Sequence, residues 1–380
     1  DGSGTWQEVA LLRASNAGIG DLFGFSVSID GDRAIVGARY EDGAGNGLFR
    51  SGAAYVFERD GSGAWQEVAL LRASNTSEED LFGYSVSIDG DQAIVGALRE
   101  DGEGDGLNDS GAAYVFERDG SGTWEEKALL RASNAGAGDL FGSSVSIDGD
   151  RAIVGASGED GAGNGLSASG AAYVFEHDGS GTWPEVALLR ASNAGIGDLF
   201  GSSVSISGDR AIIGTFEEDG AGDGLNDSGA AYVFERDGSG TWPEVALLRA
   251  SNTGEGDFFG RSVSIDGHRA IVGAFGEDGE GAGLRDSGAA YVFTLSIPAP
   301  SGLAAAPGTD QVNLSWNAVG AASGYNVYRS TASFDDLAAA TRLTASPVSG
   351  TTYADADVVT GTTYYYRVTA VDGAGNESAP

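Results

Sequence analysis

Five loops in this chain carry the residue types a hard cation wants. Each opens Glu-Asp-Gly, beginning at Glu41, Glu100, Glu159, Glu218 and Glu277, and each is rich in glycine. Ca²⁺ prefers carboxylate, side-chain amide and carbonyl oxygens on a tight turn. The candidate ligand pairs are Asp42 with Asn46, Asp101 with Asp105, Asp160 with Asn164, and Asp219 with Asp223. The fifth loop keeps Asp278 but has Ala282 at the second position, so it is expected to bind worst. With so few charges per loop, the affinity expected is roughly 10⁻⁴ to 10⁻³ M. A plain solvated turn, in which Asp and Gly only shape the backbone, fits the same residues. Both readings stand at this point.

Other residues recur without an evident reaction. Asp21, Asp80, Asp139, Asp198 and Asp257 precede the first strand of each copy, where a carboxylate is expected to accept backbone N–H bonds in the turn before it. Tyr55, Tyr114, Tyr173, Tyr232 and Tyr291 lie beside Val and Phe and read as core residues whose hydroxyls need a partner. Tyr40, Phe49, Leu98, Phe216 and Phe275 differ from copy to copy, which argues against five identical sugar pockets. The two histidines, His177 and His268, occupy unlike positions, and there is no cysteine. No nucleophile elbow or phosphate loop stands in a strand-to-helix setting, so no enzyme is expected.

The elements that must position these loops follow from a repeat. Trp6, Trp65, Trp124, Trp183 and Trp242 recur every 59 residues, and each is followed by ALLRAS, FG, SVSI and SGAAYVF or close variants. Such a period marks units that must stack on their neighbours to bury a core. Within one copy the strands are expected at Phe23–Ile29, Arg33–Ala38, Ala53–Glu58 and Trp65–Ala73, the first pair joined by a hairpin at Asp30-Gly31. Four strands per repeat make a propeller blade. The chain opens with a lone fourth strand, Trp6–Ala14, and the last copy stops after its third strand. The fold expected is therefore all-β, a five-bladed β-propeller of four-stranded blades closed by the N-terminal strand. Burial of Trp6 alone would contribute at most roughly 4 to 6 kcal/mol to that closure.

The Phe-Gly pairs Phe23-Gly24, Phe82-Gly83, Phe141-Gly142, Phe200-Gly201 and Phe259-Gly260, each followed by Gly-Ala (Gly214-Thr215 in the fourth copy), resemble the FG-GAP repeat of integrin α-subunit propellers and their bacterial relatives. The resemblance implies an extracellular propeller used for adhesion or ligand binding. Calcium-binding members of that family carry an Asp-rich loop between the first two strands. Here that link has shrunk to Ile29-Asp30-Gly31-Asp32-Arg33, so the family's calcium site does not carry over.

Residues 1–295 are assigned to the propeller, 296–301 to a Pro-containing linker and 302–380 to a small β-sandwich. In the last, Val312–Trp316, Tyr325–Arg329 and Tyr364–Val371 alternate like strands and resemble fibronectin type III domains, with Trp316 in the core. The formal charge of −35, with Lys127 as the sole lysine, excludes nucleic acid and disfavours anionic membranes. No stretch suits membrane insertion, and the start at Asp1 without Met is expected to reflect either processing or an artificial cut in a longer chain. The function expected is a secreted or cell-surface adhesion or structural binding module, Ca²⁺-assisted and self-assembling, with a protein or glycan ligand. The alternatives are a multivalent lectin or a non-catalytic accessory region of a larger secreted enzyme.

Overall fold

The computed structural model describes residues 6–380 apart from 44, 46, 103–105, 164, 221–223, 280–283, 295–296, 321, 335, 373–374 and 376. The chain divides into two compact units, residues 1–266 with 270–292, and residues 293–380 with 267–269. Among the described residues no helix is long and apolar enough to cross a membrane.

The first unit is five consecutive antiparallel sheets, each built from one stretch of chain in simple up-and-down order. The first sheet comprises Ser26–Asp30, Arg33–Ala38, Ala53–Arg59 and Trp65–Leu71. Its opening hairpin pairs Asp30 with Arg33, so the two turn residues are Gly31 and Asp32, one place later than expected. Gly31 takes the positive φ, +53°, at the first turn position, which glycine adopts without strain.

Neighbouring sheets pack face to face. The forward face of the first sheet offers Ile35, Ala54 and Val56 to Val86, Ile88, Val95, Tyr114 and Phe116 on the rear face of the second. The same positions form the second-to-third and third-to-fourth cores. Small residues let the backbones come close. A Cβ on Gly37 would lie 2.1 Å from the carbonyl oxygen of Gly83, and one on Gly83 would lie 2.3 Å from that of Ala53, with Gly83 itself at φ +83°. The Phe-Gly pair is thus needed twice over. Its glycine permits contact between sheets, and its phenylalanine packs edge-on to Tyr114 and Phe116, at 5.4 and 6.0 Å. Thr215, the departure in the fourth copy, is fully buried and donates its hydroxyl to the carbonyl of Asp198.

Polar contacts repeat with the sheets. The backbone N–H groups of Ile88, Ile147, Ile206 and Ile265 donate to the hydroxyls of Ser28, Ser87, Ser146 and Ser205 in the preceding sheet, at 3.1–3.2 Å. Asp30, Asp89 and Asp148 accept from the N–H groups of Gly90, Gly149 and Gly208. These bonds fix the register of each sheet on the next.

At its two ends the stack departs from expectation. The fifth sheet has three strands, Phe259–Asp266, Arg269–Ala274 and Ala289–Thr294. Residues 6–14 are not a strand, and Trp6 is fully exposed, so the expected closure of the last blade by the N-terminal strand is not formed. Leu12 and Ala14 instead pack on the rear face of the first sheet. Ser15 donates from its N–H and hydroxyl to Glu67, as Ser74 does to Glu126 at every later step. The N-terminal segment thus keeps the place of a preceding sheet's last strand, held by the sheet it already touches.

The second unit is a sandwich of two three-stranded sheets. One holds Ala304–Pro307, Val312–Ser315 and Thr352–Asp355, and the other Thr341–Arg342, Gly324–Ser330 and Tyr365–Val371. Leu314 and Trp316 meet Tyr325, Val327, Val368 and Ala370 across it, which confirms Trp316 as core.

Candidate functional site

The long loop between second and third strands is anchored by its glutamate. Glu41 is 2% exposed and accepts from Asn16 Nδ2 at 2.8 Å, from Gly43 N–H at 2.9 Å and from the Arg72 guanidinium at 2.5 Å. Asn16 in turn accepts from the Tyr55 hydroxyl at 2.7 Å. The network recurs as Tyr114–Asn75–Glu100–Arg131, Tyr173–Asn134–Glu159–Arg190 and Tyr232–Asn193–Glu218–Arg249. A buried carboxylate is tolerated only when so compensated. In the fifth copy Tyr291, Asn252 and Glu277 are in place, but the strand that would bring the arginine is not. Sequence reading missed these networks. Their signal was the common 59-residue offset of four unlike polar residues.

Burial and the negative glutamate together push the Tyr55 hydroxyl up to about 12, and Tyr114, Tyr173 and Tyr232 are raised further for the same reasons. The aspartates ahead of the first strands accept from turn N–H groups as expected, Asp21 from Gly18 at 2.6 Å and Asp80 from Ser77 at 2.7 Å. Burial raises the Asp139 carboxyl, Gly136 N–H opposes the shift, and the charge of Glu159 adds to it.

Of the expected calcium ligands, Asp42, Asp101, Asp160, Asp219 and Asp278 each accept from the backbone N–H eight residues on, at 2.9–3.1 Å. They close their own loops. Asn46, Asp105, Asn164 and Asp223, with Ala282, lie outside the described residues. Among the described residues no three acidic, His or Cys side chains converge to hold a metal.

Of the copy-specific residues, Tyr40 and Leu98 meet between sheets one and two, whereas Phe216 and Phe275 pack against Phe258. Arg39, Tyr40, Arg50, Tyr84 and Arg99 line a pocket of about 280 Å³. The Arg39 guanidinium stacks 3.7 Å over Phe25 and 4.7 Å from Tyr40, and Arg50 stacks 4.5 Å from Tyr40. Arg39 Nε is buried and has no hydrogen-bond partner among the described residues. Glu79 also lines the pocket and, with Asp109, lies 3.8 Å from Arg99, so the cationic and aromatic character rests on Arg39 and Arg50.

Among curated proteins the chain is similar to an amylopullulanase of Thermoanaerobacterium saccharolyticum, 42% identical over 82 residues. That is 21% of this chain and 6% of the relative. It is similar also to a poly(3-hydroxybutyrate) depolymerase of Ralstonia pickettii, 43% identical over 83 residues, 22% of this chain and 15% of the relative. The chain therefore spans only a small part of the length of these relatives. Among solved structures, a Fn3-like protein from Clostridium thermocellum is 40% identical, covers 22% of this chain and 83% of its own, and has a TM-score of 0.20. The FG-GAP repeat matches five times, at residues 6–57, 65–116, 124–175, 183–234 and 242–293. With matched copies over most of its length, the chain belongs to the FG-GAP repeat family.

Proposed function

We propose that the chain is a non-catalytic accessory region of a larger secreted enzyme, in which propeller-type repeat sheets and a fibronectin type III-like sandwich space or present other parts. The observation that carries this reading is that its similarity to amylopullulanase and poly(3-hydroxybutyrate) depolymerase is confined to about a fifth of this chain and a small fraction of each enzyme. The buried carboxylates support it, since they are held in structural networks repeated from sheet to sheet and not in one tuned pair. Adhesion aided by Ca²⁺ at Asp42, Asp101, Asp160, Asp219 and Asp278 is a proposal of the same kind. A glycan-binding reading is favoured by one feature, the Arg39, Arg50 and Tyr40 pocket, which suits a carboxylate-bearing sugar through charge and stacking.

One experiment separates these. The chain is incubated with starch-type polysaccharide, poly(3-hydroxybutyrate) and acidic oligosaccharides, with Ca²⁺ or EGTA, and both bound protein and released product are measured. The accessory reading expects no product under any condition; sustained product release sinks it. Binding of acidic sugars that Arg39→Ala removes favours the glycan reading, and binding lost in EGTA favours calcium assistance.

A further inference from the structure

The two ends of the repeat stack are the two halves of an interface the chain already builds four times. On the rear face of the first sheet, Val27 is 68% and Ile29 66% exposed, whereas Val86 and Ile88, at the same positions one repeat on, are 8% and 4% exposed. On the forward face of the fifth sheet, Ile271 and Val292 are 45% and 70% exposed, whereas Ile212 and Val233 are fully buried. Val9, Leu12, Ile29, Ala34 and Trp65 line an apolar groove of about 190 Å³ beside the first face. A Cβ on Gly24 would meet nothing within 4 Å, and one on Gly273 would meet only its own sheet, although their counterparts Gly83 and Gly37 press against a neighbouring backbone.

We propose that a second copy of this chain docks head to tail, its first sheet against the fifth sheet of this one, and that its residues 6–12 become the missing fourth strand there. The register inside the chain dictates the contacts. Arg13 of the incoming copy occupies the place of Arg72 and pairs with Glu277, completing the fifth buried network. Its Glu8, in the place of Glu67, accepts from Ser251 as Glu244 accepts from Ser192. Ser264 accepts from its Ile29 N–H, as Ser205 does from Ile265. Trp6 goes from full exposure to the buried setting of Trp124, Trp183 and Trp242, which are 6–8% exposed. The occupant is a second copy because both faces, the strand and its sheet edge all belong to this sequence, and they match an interface already established within it. Such a contact is heterologous, so it propagates into rods unless a ring closes.

The test is sedimentation velocity on the intact chain and on the variants Ile29→Glu and Val292→Glu. Both side chains are exposed, so each variant should keep the parent's circular dichroism, and Arg13→Ala serves as a third variant should either unfold. A buried unpaired carboxylate should weaken association by at least about tenfold. The intact chain is expected to grow with concentration, each variant alone to stay monomeric, and their equimolar mixture to form a heterodimer and stop there, because it contains one intact face of each kind. An intact chain that stays monomeric overturns the proposal, whether Trp6 is exposed or buried by closure within one molecule. A mixture with no heterodimer overturns it too, as does one variant that associates like the parent.

Discussion

At the scale of single residues, the stack rests on glycines that touch a neighbouring backbone and on carboxylates that touch everything around them. Gly83 and Gly24 hold the same place in successive repeats, both at positive φ, but only Gly83 faces a carbonyl that a methyl would strike. Gly24→Ala is expected to cost about 1 to 2 kcal/mol from backbone strain alone. Gly83→Ala adds the displacement of the Ala53 carbonyl and should unfold the unit or lower its melting temperature far more. Equal melting temperatures for the two variants would show that φ, and not contact between sheets, is what the Phe-Gly pair protects. The calcium expectation for Asp42 and its counterparts was legible only as residue types. Sequence showed carboxylates on a glycine turn, but not that one oxygen of each closes the loop on its own backbone.

At the scale of elements, the four strands of a repeat were legible because Gly and Asp punctuate short β-branched runs. The second strand falls at Arg33–Ala38 as read, and the third ends one residue later, at Arg59. The first strand was less legible. It begins at Phe82, Phe141 and Phe259 in three sheets but only at Ser26 and Ser203 in the other two, although Phe200 bridges to a glycine of the preceding loop as those three do. The short sandwich strands Ala304–Pro307 and Thr341–Arg342 carry no alternation, so sequence missed them. The third strand makes a further prediction through its tyrosine. The folded hydroxyl of Tyr55 titrates near 12 and an unfolded tyrosine near 10. This stability is complete below about pH 10 and is lost as pH rises toward the folded value. The 295 nm absorbance change lost in Tyr55→Phe, followed with circular dichroism from pH 8 to 13, should appear together with unfolding; a Tyr55 that ionises near 10 in an intact fold would remove the buried network from the account.

At the scale of the whole molecule, the closure expected from sequence was wrong for a reason no single repeat could reveal. The N-terminal segment satisfies Leu12, Ala14 and Ser15 on the sheet that follows it, and residues 6–14 are not paired into the fifth sheet. Because each sheet packs on the next through equivalent contacts, a whole repeat should be removable. Deletion of residues 124–182 joins Thr123 to Trp183, in the context Thr182 now provides. The product is expected to fold with four sheets and intact near-ultraviolet circular dichroism. A molten or aggregated product would mean that the sheets depend on contacts beyond their neighbours.

The step of 59 residues from one tryptophan to the next also bears on inheritance. Near-identical tandem coding units misalign during recombination, and here each misalignment by one unit exchanges whole sheets at their natural seams. A gain or loss of one unit would therefore change the protein's length in steps of 59 residues, and each product would keep the same register of sheet on sheet.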